Sequence, residues 1–188
     1  MKSLYLVAIL PPEDLSYQID EIRKECSERY HVYKALKPPV HITLYRPVWM
    51  EDSNEKQFSL LMKQVGSEVD PFTQEIENFG AFAMQVVYIN ALKNPGLLDL
   101  RSRITSVFRN HKIDPKVTNG NSAFNPHFTI AYRDVLPDVF QKIWDEYKNR
   151  KFKRQFRVYE FSLLKHDGKR WNLLENFSLQ KASTPSLF

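Results

Sequence analysis

A chain of 188 residues, 43% hydrophobic and 26% charged, suits one domain with room for two similar lobes around a substantial core, and it excludes a disordered chain. The net charge of +5 favours polyanionic ligands only mildly, and the single cysteine, Cys26, excludes an internal disulfide. No segment approaches membrane-spanning length, so a soluble cytoplasmic protein with no membrane partner is expected.

Residues 4–10 read as a first buried strand, closed by Pro11 and Pro12. The apolar run MKSLYLVAIL resembles a secretion signal only briefly: the prolines, Glu13 and Asp14 break it, and no small-residue cleavage site follows. From Glu13 to about Tyr30, Leu15, Ile19, Ile22 and Cys26 recur at helical spacing, which makes Cys26 an inert surface or half-buried thiol. Pro38 and Pro39 bias the chain towards extended backbone and lead into a second strand, His41 to Arg46. Helical spacing returns at 54–68, followed by strands near 72–79 and 84–92 with a turn near Gly80. A third helix runs from Leu97 to about His111, and turn formers fill a loop at 114–126 that delivers the strand of His127. A last helix at 137–149 precedes long strands near 154–165 and 170–180, with a hairpin turn at His166-Asp167-Gly168. The tail KASTPSLF is polar and expected to be disordered. The second half of this order loosely repeats the first, which predicts an α+β fold of two pseudo-symmetric lobes, each with an antiparallel sheet and helices.

The repeat carries chemistry. PVHITLYRP at 39–47 is echoed by NPHFTIAYR at 125–133. Side chains alternate along a strand, so His41 and Thr43 project from one face while Ile42 and Leu44 point the other way. His127 and Thr129 do the same, backed by Phe128 and Ile130. Cleaving a phosphodiester needs a base for the attacking water or hydroxyl and an acid for the leaving oxygen, and imidazole suits both near neutral pH. The threonine hydroxyls can donate to the non-bridging oxygens, where charge develops. Which histidine is the base depends on substrate orientation and reaction direction.

The two tetrapeptides HITL (41–44) and HFTI (127–130), their separation and the chain length resemble the two-histidine (2H) phosphoesterase superfamily, in particular its 2′-5′ RNA ligase-like branch. The resemblance implies a bilobal α+β fold spanning the whole chain, 1–188, with the motifs facing each other across a central cleft. It also implies action on RNA ends or nucleotides bearing 2′,3′-cyclic phosphate or 2′-5′ linkages.

Counting by twos extends the site. From His127 through Thr129 and Ala131 the count reaches Arg133, which could grip a phosphate. From His41 through Thr43 it reaches Tyr45, which could stack a base or donate its hydroxyl. Arg46 falls on the opposite face. Phe124 and Trp171 are candidate base platforms, against a competing place in the core. No acidic residue stands at metal spacing from His41 or His127 and there is no Gly-rich phosphate loop, so neither a metal nor another cofactor is expected. His31 and His111 lie at helix ends and His166 in a turn. The basic segment KNRKFKRQFR (148–157) is either a solvated surface or an RNA-facing patch.

The leading expectation is a monomeric, metal-independent phosphoesterase acting on 2′,3′-cyclic or 2′-5′ phosphodiesters of RNA or nucleotides. An RNA-end binding module with little turnover, and a phosphodiesterase of a small cyclic-phosphate metabolite, are the competing readings.

Overall fold

The computed structural model describes residues 1–117 and 124–180; the polar tail and residues 118–123 of the expected loop lie outside the described residues. In chain order the elements are β1 (Lys2–Ile9), α1 (Glu13–Tyr30), β2 (Ile42–Glu51), α2 (Glu55–Ser67), β3 (Phe72–Phe82), β4 (Val86–Ala91), α3 (Pro95–Asn110), β5 (His127–Ala131), α4 (Pro137–Tyr147), β6 (Lys153–Val158), β7 (Glu160–His166) and β8 (Trp171–Ser178). The strands form two four-stranded sheets, in the orders β2-β1-β7-β8 and β5-β4-β3-β6. Every pairing is antiparallel. The expected α+β architecture of two lobes is present.

The lobes are not the two halves of the sequence. The first sheet takes strands from both ends of the chain, and the second takes its strands from the middle. The expected continuous strand at 154–165 is two strands in different sheets, parted at Tyr159, whose carbonyl accepts a hydrogen bond from the Leu179 amide at 2.7 Å. The expected turn near Gly80 lies further on: Ala83 and Met84 adopt φ values of 54° and 52°, and Gly80 sits within β3. A Cβ on Gly80 would stand 2.6 Å from the Tyr88 ring, so glycine is needed there for close approach.

Helix placement ties the lobes together. α1 leaves the first sheet and packs, with α4, over β5 and β4 of the second; α3 leaves the second sheet and packs, with α2, over β2 and β8 of the first. The local chemistry supports each element. Glu13 and Asp14 occupy the positive first turn of α1, which ends at His31 in a left-handed conformation. At α3 the Asn94 side chain caps the Leu97 amide at 2.9 Å, with Pro95 at the first turn. The apolar stripe of α1 buries Leu15, Ile19, Ile22 and Cys26. Cys26 is fully buried rather than half-exposed, and burial pushes its thiol up to about 12. One core runs from Tyr5, Val7 and Ile9 of β1 to Val87, Ile89 and Phe128 of the second sheet.

Candidate active site

The edge strands β2 and β5 lie beside one another where the lobes meet. Their motifs are held in matching registers. Ile42 pairs with Ile9 and Thr43 with Ala8; Phe128 pairs with Ile89 and Thr129 with Tyr88. Ile42 and Phe128 are buried in the core, so Thr43 and Thr129 point to the opposite, open faces of their sheets. His41 and His127 lie two residues back on those same faces. The ring nitrogens are oriented identically. Nδ1 of His41 meets the Pro39 carbonyl at 2.7 Å, and Nδ1 of His127 meets the Asn125 carbonyl at 2.7 Å. A carbonyl only accepts, so each Nδ1 carries the proton in the neutral ring and Nε2 is left with its lone pair for substrate.

Both imidazoles are biased towards the neutral form. Burial pushes His41 down to about 4; the Arg23 and His127 charges act in the same direction, and the bond to Pro39 opposes them. Burial also lowers His127, against the bond to Asn125. A narrow crevice at the seam is lined by Arg23, Ala35, Pro39, His41, Phe128 and Thr129. Chemically, the two motifs present two neutral imidazoles and two hydroxyls on the open faces of adjoining edge strands, with His41 and Thr129 lining the crevice itself.

Two β-bulges explain why strand counting fails beyond the threonines. Ala8 pairs with Thr43 but Val7 with Tyr45, so Leu44 is an extra residue; Tyr88 pairs with Thr129 but Val87 with Ala131, so Ile130 is extra. Each bulge puts two consecutive side chains on the core side, Leu44 with Tyr45 and Ile130 with Ala131. Tyr45 is therefore not a cleft residue. It is buried, stacked on Phe108 at 3.6 Å between ring centroids, and its hydroxyl donates to the buried Asp114 at 2.9 Å. Arg46 pairs with the same carboxylate. Arg133 lies beyond the end of β5 with φ 71°, and its Nε donates to the Tyr132 hydroxyl at 2.6 Å, so the alternation that carried it to the cleft does not apply.

Phe124 packs on the core beneath the Arg101 guanidinium, 4.3 Å from its ring centroid, and is no free platform. Trp171 is half-buried on the open face of the first sheet, against Leu6, Ala8 and Leu164. It stands on β8, three strand spacings from β2 or about 14 Å, within reach of an extended substrate only. The basic segment is divided. Lys148, Arg150 and Lys153 pair with Asp145, Glu25 and Glu77, while Arg157 donates to the Pro71 carbonyl and the Thr73 hydroxyl.

Three neighbours of the motifs were not singled out by the sequence. Tyr88 and the exposed Phe82 flank the His127 ring, at 4.9 and 5.3 Å between centroids. Tyr88 accepts at its hydroxyl from Asn125, whose carbonyl orients His127. Arg23 is buried on α1 and donates to the Ala35 and Pro38 carbonyls and to Asp20. Its signal was present: it lies four residues from Ile19 and three from Cys26, inside the apolar stripe where a charge is out of place.

Two antiparallel sheets that each bring a His-x-Thr edge strand to a shared seam make up a 2H phosphoesterase. The family model of the 2′-5′ RNA ligase superfamily matches residues 11–170, and the chain belongs to that family. A Bacillus anthracis protein named "Putative phosphoesterase" is 27% identical over 186 residues, covering 94% of this chain and 97% of its own. Escherichia coli LigT in apo form superposes with a TM-score of 0.67 at 20% identity, over 96% of this chain and 99% of that one. TT0787 of Thermus thermophilus gives a TM-score of 0.69 at 19% identity, over 96% and 100%. Among the described residues no helix is long and apolar enough to cross a membrane.

Proposed function

We propose that this protein is a metal-independent phosphoesterase that hydrolyses or transesterifies 2′,3′-cyclic or 2′-5′ phosphodiester bonds at RNA ends or in nucleotides. The observation that carries the reading is the matched anchoring of the two imidazoles, each with Nδ1 on the carbonyl two residues back and Nε2 left for the substrate. One Nε2 takes the proton of the nucleophile and the other, protonated, gives its proton to the leaving oxygen. Thr43 and Thr129 donate their hydroxyls to the non-bridging oxygens as negative charge builds on them. A binding module would need charge and stacking alone, and would gain nothing from fixing two ring tautomers.

The substrate class follows the same reasoning. A cyclic phosphate or a 2′-5′ linkage presents one anionic phosphodiester between two ribose oxygens, which suits a site with a proton-transfer group on either side. LigT from Escherichia coli has been crystallised in complex with 3′-AMP. Turnover of 2′,3′-cyclic mononucleotides, 2′-5′ dinucleotides and a tRNA-sized 2′,3′-cyclic end, compared in one panel, tests the reading. Hydrolysis of at least one of them supports it. Saturable binding of RNA with no turnover of any would replace it with the binding reading.

A further inference from the structure

The segment that delivers His41 cannot hold itself in place. It contains Pro38 and Pro39, which have no N–H, and a single 3-10 turn at Lys34–Leu36. It is fastened from outside on two sides. Asp134, just beyond β5, accepts from the Tyr33 and Lys34 amides at 2.7 and 2.9 Å. Arg23, from α1, donates through one terminal nitrogen to the Ala35 carbonyl and to the Pro38 carbonyl at 2.9 Å, next to the Pro39 carbonyl that orients His41. The Arg23 side chain is only 3% exposed, its Nε has no partner, and its one carboxylate partner, Asp20, is 38% exposed. A buried cation that leaves one N–H without a partner and relies on a partly exposed carboxylate is costly. What lies nearby is the seam: Arg23 lines the crevice together with His41 and Thr129. Among the described residues nothing equivalent stands behind His127, whose ring is flanked by the neutral Phe82 and Tyr88.

We propose that Arg23 is a positioning residue of the active site: it fastens the Ala35–Pro39 segment that orients His41, and its charge, added to the burial of the ring, makes His41 the proton acceptor and His127 the proton donor when water is the nucleophile. The assignment rests on the phosphoesterase reading above. In the hydrolytic direction the water oxygen bonds to phosphorus and His41 Nε2 takes the water proton. The bond from phosphorus to the leaving ribose oxygen breaks, and that oxygen takes the proton from His127 Nε2. The protein is left with the proton on His41 and returns to its starting state by exchange with solvent. The anionic phosphate held between the rings favours one proton on the pair, and because Arg23 opposes a charge at His41 that proton sits on His127. Among the described residues the charged groups that act on His41 are Arg23 of α1 and His127 of β5; Asp20 of α1 pairs with Arg23, and Glu13, at the start of α1, lines the neighbouring groove with Pro39 and Val40.

Histidine titrations by NMR on the ligand-free protein, with pH–rate profiles on a cyclic mononucleotide, test this. Arg23→Gln keeps an amide donor for the two carbonyls and removes the charge; Arg23→Lys keeps the charge and removes the planar fork. In the wild type His41 titrates below His127. Arg23→Gln raises His41 by about one pH unit, the size expected for loss of one nearby charge, with a smaller change at His127. Arg23→Lys leaves the titration of His41 near its wild-type position but lowers kcat about tenfold, with KM changed less, as a loosened His41 requires. Equal shifts of His41 in the two variants, or an unchanged kcat in Arg23→Lys, would overturn the proposal. Should neither variant fold, the wild-type order decides alone: His41 titrating at or above His127 refutes it. The titrations need no substrate, so the order of the two imidazoles stands or falls separately from the phosphodiesterase reading.

Discussion

Replacing Tyr45 by Phe separates the two places that strand alternation and the observed register give this side chain. In the structure the ring stacks on Phe108 and the hydroxyl donates to Asp114, a buried carboxylate that also accepts from Arg46 and from the Lys116 amide at 2.9 Å. Phe keeps the stack and removes one hydrogen bond to a charged acceptor. Such bonds contribute about 1.5–3 kcal/mol, and because Asp114 retains its other two partners the loss falls at the low end, about 1.5 kcal/mol. For a domain of this size that lowers Tm by about 3–6 °C. Urea denaturation and kcat/KM on the same preparation provide the measurement. The register predicts a lower denaturation midpoint and kcat/KM within about twofold of wild type. Unchanged stability with a tenfold or larger fall in kcat/KM would put Tyr45 in the cleft and refute the bulge at Leu44.

Other substitutions probe the supports of the two histidines. Gly80→Ala drives a Cβ into the Tyr88 ring, which flanks His127 and accepts from Asn125; overpacking costs about 1–3 kcal/mol, and kcat falls by about 10²-fold as His127 is misplaced, read by activity and urea midpoint together. Thr43→Val and Thr129→Val each lower kcat by about 10²–10³-fold with the fold intact, checked by steady-state kinetics beside circular dichroism. Native His41 stays neutral down to about 4, whereas an unfolded histidine takes up a proton near 6.5. Between those values the unfolded chain binds more protons, so stability declines as pH falls from 6.5 to 4. His41→Gln makes that decline shallower, which urea midpoints across the range will show.

Much of this architecture was legible in the chain. Helical spacing located the four α-helices of the described residues to within a few residues, and the alternation within His-x-Thr placed each histidine and threonine on the same face. Alternation lost its meaning one residue later, because a bulge depends on the partner strand and leaves no mark in Leu44 or Ile130 themselves. The division of 154–165 between two sheets was equally invisible: Tyr159 lies between residues that read as one continuous strand, and only the neighbouring strands decide where each part pairs. The interleaved lobes follow from that crossing. Arg23 was detectable as a charge within an apolar stripe, and Phe82 as the residue two places beyond Gly80 on the same strand face, but neither gains meaning until the seam is formed.

The central claim is that the two imidazoles carry out proton transfer without a metal. Its most direct test is the hydrolysis rate of a 2′,3′-cyclic mononucleotide in the presence of EDTA, for wild type, His41→Ala and His127→Ala. The account predicts that EDTA leaves the wild-type rate unchanged and that each substitution lowers it by about 10²–10⁴-fold. Loss of wild-type activity in EDTA, or a rate within tenfold of wild type in either variant, would contradict it.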